Sequence, residues 1–115
     1  MSWECNPEEV NEFLNTLQHI PINEPNSLYI VKQNKAEDKT HIFMIQYGIT
    51  ETQIREELLK LDISNYSYTD NDTDPRFASE QIWVFGQMFD NMIEVYIKIK
   101  VRRRKVICLS FHEKE

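Results

Sequence analysis

Glycine is scarce in this chain, with only two in 115 residues. Glycine-rich cradles for phosphates or dinucleotides need more glycines than that, at set spacings. Cysteine is equally scarce, limited to Cys5 and Cys108. No CxxC pair exists, so a zinc ribbon or a disulfide framework has nothing to build on. No HExxH segment occurs, and His19, His41 and His112 stand far apart. These absences point to chemistry without a metal or a cofactor. No apolar run approaches the roughly 18 residues that span a bilayer. The opening "MSWECNPEEV" is acidic and lacks the basic-then-apolar order of a secretion signal. The expectation is a cytoplasmic protein with no membrane partner.

What is present describes a globular domain. Hydrophobic residues make up 41% and charged residues 28% of the chain, too apolar a balance for a disordered one. The length fits one domain over residues 1–115 with a modest core. Cys108 sits in an apolar run, where packing is its expected role. A reactive thiol would instead need an electropositive site, which the neighbouring lysines leave open.

Along the chain, Asn6, Pro7, Glu8 and Glu9 read as an N-cap, a first-turn proline and two acids suited to a helix dipole. Val10, Phe13, Leu14 and Leu17 repeat at helical spacing, predicting a helix from Pro7 to His19 that Pro21 and Pro25 terminate. "SLYIVKQN" predicts a short strand, Leu28 to Gln33. Ile42, Phe43 and Ile45 fit a helix ending at Gly48, although a strand fits nearly as well. Thr50 with Gln53 makes a capping box for a helix to about Lys60, with Ile54, Leu58 and Leu61 on its apolar face. "YTDNDTDPRFASE" is polar, acidic and aperiodic, and reads as a surface loop. The rest reads as strands, with Asp90-Asn91 as a turn.

The final hairpin is the informative part. Ile93, Val95, Ile97, Ile99 and Val101 alternate with Glu94, Tyr96, Lys98 and Lys100. Ile107, Leu109 and Phe111 alternate with Val106, Cys108, Ser110 and His112. Residues 81–112 are therefore predicted to form three consecutive antiparallel strands, with Ile97, Ile99, Ile107, Leu109 and Phe111 buried. A short turn at Arg102–Arg104 sets Tyr96 opposite Ser110, and a shift of two residues sets it opposite His112. Either way Tyr96 and His112 lie within roughly 8 Å. One sheet face then gathers a phenol, an imidazole, a hydroxyl and two lysines.

Such a set suits RNA cleavage without a metal. Imidazole titrates near neutrality, so His112 can act as acid or base. Lys98 and Lys100 can stabilise a pentacoordinate phosphate, and Tyr96 can stack a base or hold a phosphate. The 2′-hydroxyl would restrict the reaction to RNA. The same alternation also describes an ordinary solvated strand face, and "RRRK" an ordinary solvated turn. Charge separates these readings weakly. The net charge is −6, yet residues 93–115 hold seven Lys/Arg against three acids, net +4, and residues 1–92 hold six against sixteen, net −10. One end of the molecule can attract phosphate, through Lys100, Arg102, Arg103 and Arg104, while the whole stays acidic.

The segments "YGITETQIREELLKL", "IWVFG", "EVYIKIKV" and "KVICLSFHE" resemble the MqsR family of type II toxin–antitoxin toxins, especially its Gram-positive branch. The resemblance covers roughly Leu28 to Glu115. It implies an α+β, RelE-like fold, with N-terminal helices packed on a curved antiparallel sheet formed mainly by the C-terminal third. It also implies an mRNA-cleaving toxin, free of cofactors, neutralised by a cognate antitoxin protein. The family's strand tyrosine falls on Tyr96 and its basic residue after "SF" on His112. Its helix lysine falls near Glu56, beside Arg55, and its glutamine after "IW" falls on Val84. The hairpin face and the resemblance together single out Tyr96, His112 and Lys98 as candidate catalytic residues and Arg55 with the hairpin cations as candidate RNA contacts. Two rivals remain: a non-catalytic RelE-like module that binds RNA or protein, and a phage or plasmid protein whose acidic part mimics nucleic acid.

Overall fold

The first helix forms where its caps and stripe predict. Asn6 accepts a hydrogen bond from the Glu9 amide at 2.9 Å and Pro7 opens α1, Pro7–His19. Val10, Leu14 and Leu17 are buried, each apolar side chain contributing about 2 kcal/mol on burial. This is a computed structural model, and it describes residues 2–21, 26–31, 38–90 and 92–114. The predicted strand end at Gln33 and the turn residue Asn91 lie outside the described residues, as does Pro25.

After β1, Leu28–Ile30, the helix reading of the next segment prevails over the strand reading. Asp38 caps α2, Lys39–Tyr47, and Gly48 closes it at φ 64°, a left-handed position where a side chain is strained. Of its apolar cluster only Phe43 is buried; Ile42 is 50% and Ile45 82% exposed. The Thr50–Gln53 capping box starts α3, Glu51–Leu59, whose Ile54 and Leu58, with Leu61 just beyond, enter the core.

Four further strands follow: β2, Tyr66–Asn71; β3, Gln81–Phe89; β4, Ile93–Arg102; and β5, Lys105–Glu113. The last three are the consecutive antiparallel strands predicted over 81–112. Two expectations need correction. The sheet, in order β1-β5-β4-β3-β2, is mixed rather than antiparallel, because β1 runs parallel to β5 at the edge. The supposed loop of residues 68–80 begins inside β2. Its polarity is that of an edge strand, and its Thr69 is fully buried, bridged to Trp3 by backbone hydrogen bonds of 2.9 and 2.8 Å.

The face assignment on β5 also needs correction. Ile97, Ile99 and Phe111 do enter the helix-side core, but there Val106 and Cys108 join them. Ile107 is buried outside that cluster, opposite Lys100, and Leu109 is half-buried. The cause is register. A two-residue turn, with Arg103 at φ 50° and Arg104 at φ 62°, pairs Arg102 with Lys105 and therefore Ile99 with Cys108. A bulge then leaves Leu109 without a partner and resets the pairing to Lys98–Ser110, Ile97–Phe111 and Tyr96–His112. Each side chain before the bulge is thereby turned to the face opposite the one that strict alternation from Phe111 assigns. Burial pushes the Cys108 thiol up to about 12, so it packs as expected and is no thiolate nucleophile.

Candidate functional site

The helices cover one face of the sheet. Phe13 of α1 stacks on Trp83 at 4.4 Å between ring centres, and Phe43 of α2 packs 6.2 Å from Phe111. Alternation from these core residues puts Tyr68, Gly86, Tyr96, Lys98, Ser110 and His112 on the other face. There Tyr96 lies directly opposite His112 on one side and Gly86 on the other. The Tyr96 and His112 rings are 5.6 Å apart. Gly86 puts no side chain between the neighbouring phenols, and the Tyr68 and Tyr96 hydroxyls meet at 3.1 Å. Burial, the Tyr68 hydroxyl and the negative charge of Asp70 hold the Tyr96 phenol well above the usual tyrosine range. It therefore stays protonated.

His112 is half-buried. Its Nδ1 lies 2.9 Å from the Glu113 carbonyl oxygen, which can only accept. Nδ1 is therefore the donor in that contact. Lys98 is half-buried between Val84 and Ser110 in the pairing register, and it forms no ion pair among the described residues. Tyr96, His112 and Lys98 thus share one patch, as the sequence suggests.

The candidate phosphate-binding cations fare differently. Lys100 is 3% exposed. Its ammonium is bound to Asp72 and, at 2.9 Å, to Glu80. Arg102 binds Glu80 through Nε at 2.6 Å. Phe77 lies against both cations, 4.7 Å from the Lys100 Nζ and 4.2 Å from the Arg102 guanidinium carbon. Arg102 and Lys100 draw the Glu80 carboxyl down to about 2. Arg103 and Arg104 are exposed at the turn, and Arg104 borders a small cavity beside the end of α1. Arg55 is on α3, paired with Glu51 at 3.1 Å. That helix is tied by Glu57 to Gln87 at 2.9 Å on the helix-facing side of β3, so Arg55 belongs to the opposite layer from Tyr96. Glu56 is exposed on the same helix, and Val84 is buried beside Lys98.

Sequence reasoning missed Tyr68, because the acidity of residues 70–74 masked a strand. Two tyrosines so close together, Tyr66 and Tyr68, were the available strand signal, although a bulge between them turns them to opposite faces.

Among the described residues, three α-helices and a five-stranded mixed sheet with its strands concentrated toward the C-terminus form an α+β, RelE-like fold. The family model described as motility quorum-sensing regulator, toxin of MqsA, matches residues 19–113, and the chain belongs to that MqsR toxin family. A toxin of a toxin–antitoxin system, with a cognate antitoxin as partner, is what that membership implies. No curated protein matches the sequence. Helix α1 lies almost wholly outside the matched segment. Among the described residues no helix is long and apolar enough to cross a membrane.

Proposed function

We propose that the chain is a cytoplasmic endoribonuclease that cleaves mRNA without a metal, using the open face of the sheet. The observation that carries this reading is Tyr96 paired directly with His112, their rings 5.6 Å apart, beside Lys98, which has no ion-pair partner among the described residues. His112 Nε2 takes the proton of a ribose 2′-hydroxyl. The 2′-oxygen attacks phosphorus, the bond from phosphorus to the 5′-oxygen breaks, and the departing oxygen takes a proton from water. The products are a 2′,3′-cyclic phosphate and a 5′-hydroxyl end. Tyr96 donates a hydrogen bond to a phosphoryl oxygen, and the Lys98 ammonium offsets the charge that builds there. Arg103 and Arg104 hold flanking phosphates as exposed cations. Lys100, Arg102 and Arg55 serve this reading indirectly, through the packing of the sheet and of α3.

The test is purified protein with a defined RNA in a chelating buffer. Cyclic-phosphate ends from RNA, with the matching 2′-O-methyl RNA and DNA left intact, are expected. In cells, induction should arrest growth and deplete mRNA, with relief by the antitoxin. A non-catalytic, antitoxin-binding member of the family is the second reading, favoured by the net charge of −6 and by Val84 and Glu56 at two family positions. Folded protein that binds antitoxin and leaves every RNA intact would establish that reading instead.

A further inference from the structure

Strand β1 pairs with β5 only from Val106 to Cys108. Beyond that point the outer edge of β5 is taken over by α2, where the Thr40 hydroxyl accepts the Phe111 amide at 3.0 Å. Helix and strand end do not close against each other. A groove of about 380 Å³ remains between them, lined by Lys39, Ile42, Phe43, Gln46, His112, Glu113 and Lys114. That is at the small end of pockets that take a single small molecule. Its chemistry is mixed in a particular way. Ile42 and Phe43 give an apolar wall, Gln46 gives an amide with both a donor and an acceptor, and Lys39 and Lys114 stand at the rim. Among the described residues the Lys114 ammonium is paired with Glu94, at 3.2 Å, with both side chains more than half exposed. Such a pair is weak enough to exchange for a phosphate. His112 lines the groove as well as the open face, so the two sites share that residue.

We infer that this groove binds one nucleotide of single-stranded RNA, the one whose 2′-hydroxyl faces His112, and that Gln46 selects its base. The inference rests on the ribonuclease reading for the identity of that nucleotide, though not for the existence of the site. A base on the 5′ side of the cut lies with one face on Ile42 and its edge toward the Gln46 amide, while its neighbouring phosphates meet Lys39 and Lys114. Apolar contact with an aliphatic side chain is not selective among base faces. An amide that matches one base edge and leaves others unpaired discriminates. Unpaired bases are what proteins can reach in RNA.

The experiment titrates labelled protein with four 2′-O-methyl trinucleotides, one for each base, which cannot be cleaved. Chemical shifts of the Ile42 methyl and the Gln46 side-chain amide report the site. Saturable shifts at both are expected, with one base bound at least about tenfold more tightly than the weakest. Gln46→Ala should flatten that preference, and Ile42→Ser should weaken binding of all four by about tenfold. Ile45→Ser, one turn along and 82% exposed, is the control outside the groove and should bind as the unsubstituted protein does. Both test positions are exposed, so folding is not at stake. Cleavage of the ribose forms is measured in parallel, and the preferred base should sit immediately 5′ of the cut. Binding in the groove without cleavage would remove the ribonuclease reading and keep the nucleotide site. Cleavage with silent Ile42 and Gln46 signals, and a base preference indifferent to Gln46→Ala, would overturn the groove alone. Neither binding nor cleavage would overturn both.

Discussion

Strand β4 sets Tyr96, Lys98, Lys100 and Arg102 in a row on one face of the sheet, and the two ends of that row are treated in opposite ways. At the Tyr96 end the face is open. Lys98 has no counter-ion among the described residues, and the only polar neighbour bonded to Tyr96 is another phenol. At the Arg102 end the segment from Asp72 to Glu80 lies across the face, pairs both cations and covers them with Phe77. Four residues at equal spacing, three of them cationic, are thus divided into an open half and a strapped half. Cations count toward phosphate chemistry only where no carboxylate has already claimed them. That is how an acidic protein can still offer a local positive site, because much of its acid is spent neutralising its own bases.

The comparison breaks first at His112. His112→Ala should slow RNA cleavage by about 10²- to 10⁴-fold, while stability stays within roughly 0.5 kcal/mol. Rates on a defined RNA and a denaturant midpoint on the same sample check both. A variant as fast as the unsubstituted protein would strip the open half of its catalytic role.

The two lysines should then separate. Lys100→Ala removes the cation that Asp72 and Glu80 share inside the strapped half, and should cost about 3 kcal/mol of stability, as for other buried pairs broken on one side. Lys98→Ala should leave stability within about 0.5 kcal/mol and slow cleavage by about a hundredfold. Thermal melts and single-turnover rates on both variants decide it. Equal effects on stability would mean that the division of the face is not real.

Acid should act on the strapped half. The folded pKa of Glu80 lies below its ordinary value of 4.5, at about 2. Its contribution to stability is therefore complete above about 4.5 and is lost as pH falls toward about 2. Melting temperatures of the unsubstituted protein and of Glu80→Gln should differ most above that window and converge below it.

The smallest effect concerns the turn that joins β4 to β5. Arg103 and Arg104 both have left-handed backbone, which costs a non-glycine residue about 1 kcal/mol. Replacing them with Asn and Gly should raise the melting temperature by about 4 °C. It should also lower affinity for RNA and reduce its salt dependence, if those arginines meet phosphates.

How much of this was legible follows the range of the forces. Asn6, the Thr50–Gln53 box and Gly48 fixed helix boundaries because caps act within four residues. The spacing of Ile93 to Val101 and of Gln81 to Phe89 identified strands, because side chains alternate on any strand. The Tyr96–His112–Lys98 patch was legible as one of two registers. Which register holds, and which side Val106 and Cys108 face, depended on a turn of two residues and a bulge at Leu109. Neither leaves a mark in the alternation itself. Residues 68–71 were hidden as a strand because an edge strand with acidic side chains carries no apolar period.

Local sequence therefore determined the helices, the C-terminal strands and the residue types available for chemistry, since these depend on capping and periodicity over a few neighbours. The tertiary structure alone decided which of those residues can act. It paired Lys100 and Arg102 with Asp72 and Glu80, across 20 to 28 residues of chain. It brought Tyr68 to Tyr96 across β3, and it opened the groove between α2 and the end of β5. Charge pairing and strand register join residues distant in sequence, and are settled only when the sheet closes.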